Sequence, residues 1–423
     1  MVIFKPFVEY YIMLKKDLTL IKEGSVEFYI YNIDQGSIPS KSMNVFYNKK
    51  MEINRDISTL AINAYSNLYN QKNHTIIDSM AASGISSIRM IRECKNIEKI
   101  FINDINPGAI KLIKKNIKLN GLNKAPFKII ITQKDANLLF SEIATSKCKF
   151  SNKKQKKPNI ISIDPFGTPN IYVNSAFKAI QKVNGLMCIT ATDTAVLFGV
   201  RPKVCIRKYF SKPLHTDYCK EIGGRILIYY ISRIANINRI GIIPLLTFYS
   251  GHFIRVFCST FKNQKEITKF FKNYGYIIHC NKCGYRSSFG NNILVLPKEC
   301  PLCANKKSLD FAGPLWIGKI HKISFIKNML NLNESSKFPN KKRIEKLLSF
   351  AIEENDMPVS YFNLHKLCQN LKISSVPKIK DVISIIKEKG YQCSRTHFDF
   401  LSIKSDLDLF RLKEILIDYK NNN

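Results

Sequence analysis

Apolar residues follow two rhythms along this chain. Near the N-terminus they alternate, as in Val26-Glu27-Phe28-Tyr29-Ile30-Tyr31, which predicts a small β-rich entry over residues 1–40 with Gly24 and Gly36 as turns. Helical spacing then predicts a helix over 57–69 with Asp56 as its cap; Arg55, just ahead of that cap, reads first as a solvated surface residue. From His74 onward a strand, a turn and a helix recur. Strands are expected at 75–77, 99–102, 127–132, 159–163 and 186–190, and helices at 85–93, 107–119, 137–143 and 170–183. Pro107 opens its helix and Gly121 follows the end. A helix at 219–234 and strands at 240–248 and 253–259 complete a doubly wound α/β sheet closed by a late hairpin. The basic run at 147–157 reads as a surface insertion. After a charge-rich linker or cap at 331–342, helices are expected at 344–353, 361–371 and 379–389, with Gly390 ending the last. A strand pair is expected over 391–400.

This alternation places particular residues at strand ends, where open α/β sheets bind ligands. The run Asp78-Ser79-Met80-Ala81-Ala82-Ser83-Gly84 joins a strand to a helix with small residues, so the backbone can approach a ligand near a helix N-terminus. It is not a Gly-x-Gly-x-x-Gly phosphate loop. Asp104 lies 20 residues beyond Gly84, the separation at which an acid on the second strand can accept hydrogen bonds from ribose hydroxyls. An acid there without a phosphate loop suits a nucleoside lacking phosphates, and S-adenosylmethionine is the candidate. An Asp or Asn in Asp135-Ala136-Asn137 after the third strand can hold an adenine amine, or the segment can simply cap the helix over 137–143. Asp164-Pro165-Phe166-Gly167 after the fourth strand puts a carboxylate, rigid carbonyls and an aromatic ring at the sheet edge. That set suits an exocyclic amine on a nucleobase; a Pro-rich turn is the competing reading.

Cys280-Asn281-Lys282-Cys283 and Cys300-Pro301-Leu302-Cys303 pair thiols on two turns, the spacing of a closed four-sulfur zinc site. Four of the 12 cysteines are thereby used, and the remaining eight are scattered singly, which is no disulfide framework and points to a reducing compartment. His397 in Ser394-Arg395-Thr396-His397-Phe398 reads as a packed or hydrogen-bonded histidine rather than a catalyst.

Composition narrows the class. With 423 residues, 45% of them hydrophobic, the chain has room for two or three domains and a substantial core. A formal net charge of +34 favours a polyanionic partner, most simply nucleic acid, although richness in Lys, Asn and Ile would also follow from a nucleotide bias in the gene. No apolar stretch is long enough to span a bilayer, and the first 20 residues lack the order of a secretory signal. An intracellular protein, in nucleus, cytoplasm or an organelle, is expected.

The order of motifs is more specific than any one of them. Residues 44–56, 78–89, 103–107, Asp135-Ala136-Asn137, 164–169, Thr190-Ala191-Thr192-Asp193, 313–318 and 394–398 follow one another as in the tRNA (guanine-26-N2) dimethyltransferases, which the chain resembles from about residue 24 to 407. The resemblance implies a class I, Rossmann-like methyltransferase sheet with a zinc-binding insert and a C-terminal α+β domain. Its segments would be a β-rich entry at 1–40, the S-adenosylmethionine-dependent domain at 41–275, the zinc module and connection at 276–330, and a tRNA-binding domain at 331–423. Carried over by position, Arg55, Asp78, Arg89, Asp104, Asp135 and Ala136 would serve the cofactor. Asp164, Pro165 and Phe166 would form the acceptor site, with Phe46 flanking it, and Cys280, Cys283, Cys300 and Cys303 would hold structural zinc. The partner would be tRNA, with no membrane, and the chain a monomer. Two other classes fit parts of the pattern: an amino-methyltransferase acting on DNA adenine, and a zinc-containing RNA-binding protein without catalysis. The phenylalanine and glycine of Asp-Pro-Phe-Gly argue against the first, and the acids Asp78, Asp104, Asp135 and Asp164 against the second.

Overall fold

A computed structural model describes residues 18–31, 43–145, 156–290 and 297–421. The expected turn at Gly36 and residues 147–155 of the basic insertion lie outside these. In chain order the elements are β1 (Leu18–Glu23), β2 (Val26–Tyr31), α1 (Glu52–Tyr69), β3 (His74–Asp78), α2 (Ile85–Glu93), β4 (Ile97–Asn103), α3 (Pro107–Leu119), β5 (Lys128–Thr132), α4 (Ala136–Thr145), β6 (Ile160–Ile163), α5 (Asn170–Ala179) and β7 (Leu186–Ala191). There follow α6 (Thr194–Leu197), α7 (Pro202–Tyr209), α8 (Cys219–Ile237), β8 (Gly241–Ser250), β9 (Phe253–Phe261), α9 (Gln264–Lys269), β10 (Tyr274–Cys280), β11 (Arg286–Gly290) and β12 (Leu309–Trp316). The chain ends with α10 (Ile323–Glu334), α11 (Lys341–Glu353), β13 (Phe362–Asn363), α12 (Leu364–Asn370), α13 (Ile379–Glu388), β14 (Cys393–Arg395), β15 (Ser402–Ser405) and α14 (Leu409–Asn421).

The chain divides into two interleaved compact units. The first holds residues 1–166, 175–188 and 331–344. Its strands stand in the order β5-β4-β3-β6, followed by the start of β7, and the β3/β4, β3/β6 and β4/β5 pairs are parallel. Parallel strands covered on both faces need near-continuous apolar runs. Ile76, Ile77, Ile100, Ile102, Ile160, Ile161 and Ile163 supply them, all 0% exposed. The hairpin β1–β2 turns at Gly24, whose φ of +56° lies in the left-handed region that favours glycine.

The second unit holds residues 167–174, 189–330 and 345–423. Here the end of β7 lies beside β9, and β9 pairs antiparallel with β8 as the expected closing hairpin. A three-stranded sheet in the order β11-β10-β12 carries the paired cysteines, and a small sheet β13-β15-β14 packs with α12, α13 and α14. The single Trp316 is buried on β12 against the rings of Phe270 and Tyr274, and its Nε1–H donates to the Lys319 carbonyl at 3.0 Å.

Several boundaries differ from the sequence expectation for identifiable reasons. The helix expected at 57–69 starts at Glu52, because Asn48 caps a short 3-10 turn over 49–51 that runs straight into it. Asp56 is therefore not a cap; it is buried inside α1 and paired with Arg89. The helix expected to reach Val183 stops at Ala179, since the Gln181 N–H turns to the Pro158 carbonyl at 2.8 Å. The stretch expected as a helix over 361–371 opens as β13 and becomes helical only at Leu364, where the Asn363 side chain caps it. The strand pair expected over 391–400 lies at 393–395 and 402–405, because Thr396 and His397 are drawn away to Glu354. The short helices α6, α7 and α9 and the terminal α14 do not stand out in the apolar pattern.

Candidate active site and metal centre

Four of the acids singled out from the sequence stand along one edge of the first unit. Asp78 ends β3, Asp104 follows β4, Asp135 lies three residues past β5, and Asp164 follows β6, all at the C-terminal ends of strands in the order β5-β4-β3-β6. Hydrogen bonds tie these tips into one set. The buried Asn103 side chain donates to the Ser79 carbonyl at 3.0 Å and to the Lys134 carbonyl at 2.9 Å, linking the turns after β3 and β5. Ser79 donates through its hydroxyl to the Ser162 carbonyl at 2.7 Å, linking β3 to β6.

Each acid has a distinct local task. Asp78 is 3% exposed and accepts from the Ser87 hydroxyl at 2.6 Å, which binds the end of β3 to α2. Asp104 accepts the Ala82 N–H at 2.8 Å and the Asn106 N–H at 2.9 Å, so the turn before α2 is folded onto the second strand's tip. A carboxylate has about four lone-pair sites, so two backbone bonds leave capacity for ribose hydroxyls. The turn itself holds Ala82 at φ +48° and Gly84 at φ +80°; a Cβ at Gly84 would come within 3.0 Å of Ile113. Asp135 is exposed, and one of its oxygens accepts the Asn137 and Leu138 N–H groups at the start of α4. The capping role is thus realised, and Ala136, the next residue, is buried.

Asp164 accepts from the Asn54 side-chain amide at 3.1 Å. Pro165 beside it is buried, while Phe166 is 48% exposed. The Phe166 ring meets that of Phe46 edge-on, with centroids 5.5 Å apart. A half-exposed aromatic beside a carboxylate at a strand tip offers a base both a stacking face and an acceptor.

Arg55 and Arg89 are placed differently from the acids. Arg55 is not a solvated surface residue: its Nε and Nη2 donate to both oxygens of Glu23 at 2.5 and 2.7 Å. Arg89 is wholly buried among Glu23, Asp56 and Glu93, with contacts of 3.0, 2.6 and 2.9 Å. Burial alone would raise the Glu23 carboxyl above its usual range, but Arg55 and Arg89 outweigh it and hold it lower. At Asp56 burial wins over Arg89 and raises the carboxyl. The network clamps the first turns of α1 against β1 and α2. Glu23, Asn54 and Asn103 were not singled out from the sequence. The available signal was the polar run Asn54-Arg55-Asp56 near the start of the helix, but each partner lies far along the chain.

A polar depression lined by Asn73, Thr75, Glu98, Lys157 and Asn159 lies at the opposite ends of the parallel strands and contains none of the four acids. In the second unit the sulfurs of Cys280 and Cys303 are 3.8 Å apart and those of Cys283 and Cys300 3.6 Å. Tetrahedral coordination with metal–sulfur bonds of about 2.3 Å puts sulfurs about 3.8 Å apart. The two turns are built alike, with Gly284 N–H donating to the Cys280 carbonyl at 2.8 Å and Ala304 N–H to that of Cys300 at 2.9 Å.

Among the described residues His321, Glu354 and His397 form a second set able to face one ion. Glu354 is already saturated: it accepts from Thr396 at 2.7 Å, from the His397 N–H at 3.1 Å and from the His397 ring, and Lys404 stands 3.3 Å away. Lys404 also donates to Glu221 at 2.8 Å, and Glu221 pairs with Arg225 at 2.8 Å. A cation here would have to displace an ammonium. The cluster is a charge-balanced lock joining α8, α11 and the β14–β15 connection, and His397 is the hydrogen-bonded histidine expected.

Comparison with known proteins bears directly on this arrangement. A family model described as N2,N2-dimethylguanosine tRNA methyltransferase matches residues 24–417. A tRNA (guanine(26)-N(2))-dimethyltransferase of Methanosphaera stadtmanae is 36% identical over 408 residues, covering 96% of this chain and 98% of that one. One from Methanobrevibacter smithii is 35% identical over 91% of this chain and 94% of its own length. Among solved structures, Trm1 from Pyrococcus horikoshii in complex with S-adenosyl-L-methionine aligns with a TM-score of 0.77 at 28% identity, covering 95% of this chain and 99% of that one.

Proposed function

Given that the chain belongs to the N2,N2-dimethylguanosine tRNA methyltransferase family, we propose that its strand-tip acids divide methyl transfer between a donor side and an acceptor side. The protein is a tRNA (guanine-26-N2) dimethyltransferase that uses S-adenosylmethionine. The observation that carries the division of labour is that Asp78, Asp104, Asp135 and Asp164 share one edge of one sheet. On the donor side Asp104 accepts ribose hydroxyls, the turn over residues 78–84 admits the nucleoside close to its backbone, and Asp135 with Ala136 borders the adenine. Arg55 and Arg89 reach the donor only by exchanging a carboxylate partner for it, a trade that a carboxylate on the donor is suited to make.

Bound S-adenosylmethionine supplies an electrophilic methyl group on sulfur. The guanine N2 amine is a poor nucleophile because its lone pair is delocalised into the ring. Asp164 and the Pro165 carbonyl accept its N–H groups, which favours a pyramidal nitrogen with the lone pair aimed at the methyl carbon. Asp164 is also within reach to take the proton that the amine sheds. Phe166, flanked by Phe46, stacks on a guanine withdrawn from its helix. The second methylation leaves one fewer N–H, so the acceptor pocket has to tolerate a methyl group where the first round had a hydrogen.

We further read Cys280, Cys283, Cys300 and Cys303 as the ligands of a structural zinc, supported by their sulfur spacing. The C-terminal helices are taken as the tRNA-binding part and the active chain as a monomer in a reducing compartment; no helix among the described residues is long and apolar enough to cross a membrane. Turnover of Asp164→Ala on purified tRNA with labelled donor tests the acceptor assignment. Loss of methyl transfer with donor binding retained is expected; near-normal turnover by a folded variant removes Asp164 from the reaction.

A further inference from the structure

A side chain that hydrogen-bonds Asp164 belongs to a residue that has so far had no part in the reaction. Asn54 lies in the first turn of α1, is 2% exposed, and donates through Nδ2 to Asp164 Oδ2 at 3.1 Å, 110 residues away in sequence. Its amide orientation is dictated by chemistry, because an ionised carboxylate accepts only and the amide oxygen turned toward it would be repelled. That leaves the Asn54 Oδ1 buried with no hydrogen-bond partner. A buried acceptor without a donor is a cost to the fold that a hydrophobic residue would avoid. Its neighbours make the anchor stiff: Arg55 is held by both oxygens of Glu23, and Asp56 by Arg89 and by the Asn340 amide at 2.8 Å. The helix turn carrying Asn54 thus has its two following residues pinned by ion pairs within the same unit.

We propose that Asn54 is a positioning residue for methyl transfer, acting through Asp164. By anchoring Oδ2 it sets the plane of the carboxylate, and so the direction in which the remaining lone pairs meet the amine. The Glu23–Arg55–Arg89–Asp56 network then has a task beyond stability: it transmits rigidity from β1 and α2 to the acceptor carboxylate. The inference rests on Asp164 serving the amine, so the test separates the two claims.

The experiment compares full-length wild type with Asn54→Ala, Asn54→Asp, Asp164→Asn and the exchanged pair Asn54→Asp/Asp164→Asn, with purified tRNA and methyl donor varied in turn. Asn54→Asp keeps the volume but replaces the donor with a second carboxylate. Both single variants at 54 are expected to lose about 10- to 100-fold in kcat, with Asn54→Asp at least as impaired as Asn54→Ala. KM for tRNA and for the donor should stay within about twofold, as for a group acting in the transition state. The exchanged pair restores the hydrogen bond with its polarity reversed, so its thermal midpoint should recover while turnover does not. Should Asn54→Asp fold poorly, Asn54→Ala with donor binding followed by calorimetry decides the same point. Near-normal kcat in Asn54→Asp, alongside an inactive Asp164→Asn, overturns this inference alone. Near-normal kcat in Asp164→Asn overturns the acceptor assignment itself. Recovery of turnover in the exchanged pair likewise overturns the acceptor assignment, because an amide at position 164 would then serve where the reaction is held to need a carboxylate.

Discussion

Phe46 and Phe166 meet edge to face, their ring centroids 5.5 Å apart and their planes at 86°. Phe46 lies ahead of α1 and Phe166 just past β6, so two distant stretches of chain build one corner beside Asp164. The contact sets the Phe166 ring against Phe46 while the residue stays 48% exposed. Phe166→Ala should therefore lower kcat/KM for tRNA by about 5- to 150-fold, the equivalent of one base–aromatic stack, while Phe166→Tyr stays near wild type. Steady-state kinetics with tRNA varied at saturating donor checks this; an unchanged kcat/KM in the alanine variant removes the stacking role.

The donor side is tested at Asp104. Replacing it with alanine removes a charged acceptor worth about 1.5–3 kcal/mol, so the donor dissociation constant should rise by about 10- to 150-fold. Because Asp104 also accepts the Ala82 and Asn106 N–H groups, Asp104→Asn is the gentler companion, keeping one acceptor for the turn. Titration calorimetry with S-adenosylmethionine and circular dichroism together separate lost affinity from a collapsed loop.

Removing Glu23 leaves Arg55 and the buried Arg89 facing one another without the carboxylate between them. Glu23→Gln should cost about 3–5 kcal/mol of stability, as when one partner of a buried ion pair is removed. Denaturant unfolding of wild type and variant measures it directly, and a loss below about 1 kcal/mol would show that the remaining acids Asp56 and Glu93 suffice.

His74 gives a pH signature. It is wholly buried, its Nδ1 accepts from the Asn159 amide at 3.2 Å, and its Nε2 meets the Ser66 hydroxyl. Burial lowers its pKa from 6.5 to about 4, so the imidazole stays neutral in the fold. Below pH 6.5 the unfolded chain binds a proton that the folded chain refuses, so this residue's contribution is lost as pH falls from 6.5 toward 4. His74→Gln should flatten that part of the stability–pH curve by about 1–3 kcal/mol relative to wild type, read from urea unfolding at a series of pH values.

For the four-sulfur site, metal analysis of purified protein should return about one zinc per chain, and about none for Cys283→Ser. Removal by a strong chelator should lower the thermal midpoint, while kcat at low temperature changes little, since no sulfur belongs to the strand-tip set.

The parts of the site legible in the sequence were those set by local rules. Apolar runs of strand length followed by small or acidic residues placed Asp78, Asp104, Asp135 and Asp164 at strand ends, and parallel strands put their C-terminal ends on one side. The paired cysteines were legible because two turns of fixed span make half a tetrahedron each. What escaped were residues whose meaning depends on a remote partner. Glu23 looks like an ordinary polar position at a hairpin end, yet it binds Arg55, 32 residues on, and Arg89, 66 residues on. Asp56 looks locally like a cap and is instead an internal helical residue, because the helix already begins at Glu52 behind the turn that Asn48 caps, which leaves the Asp56 carboxylate to pair with the remote Arg89. Helix α7 was missed because its basic residues break the apolar period, and only Cys205 and Tyr209 are buried.

The first unit is completed by residues made late. Phe338 lies under the Arg89 guanidinium, 5.3 Å from its carbon, and Asn340 donates to Asp56 at 2.8 Å, 284 positions upstream. On the ribosome, the nascent amino-terminal half must wait for most of the polypeptide to emerge before these two arrive. A carboxy-terminal truncation just before Asn331 would thus injure the part of the enzyme that is translated first.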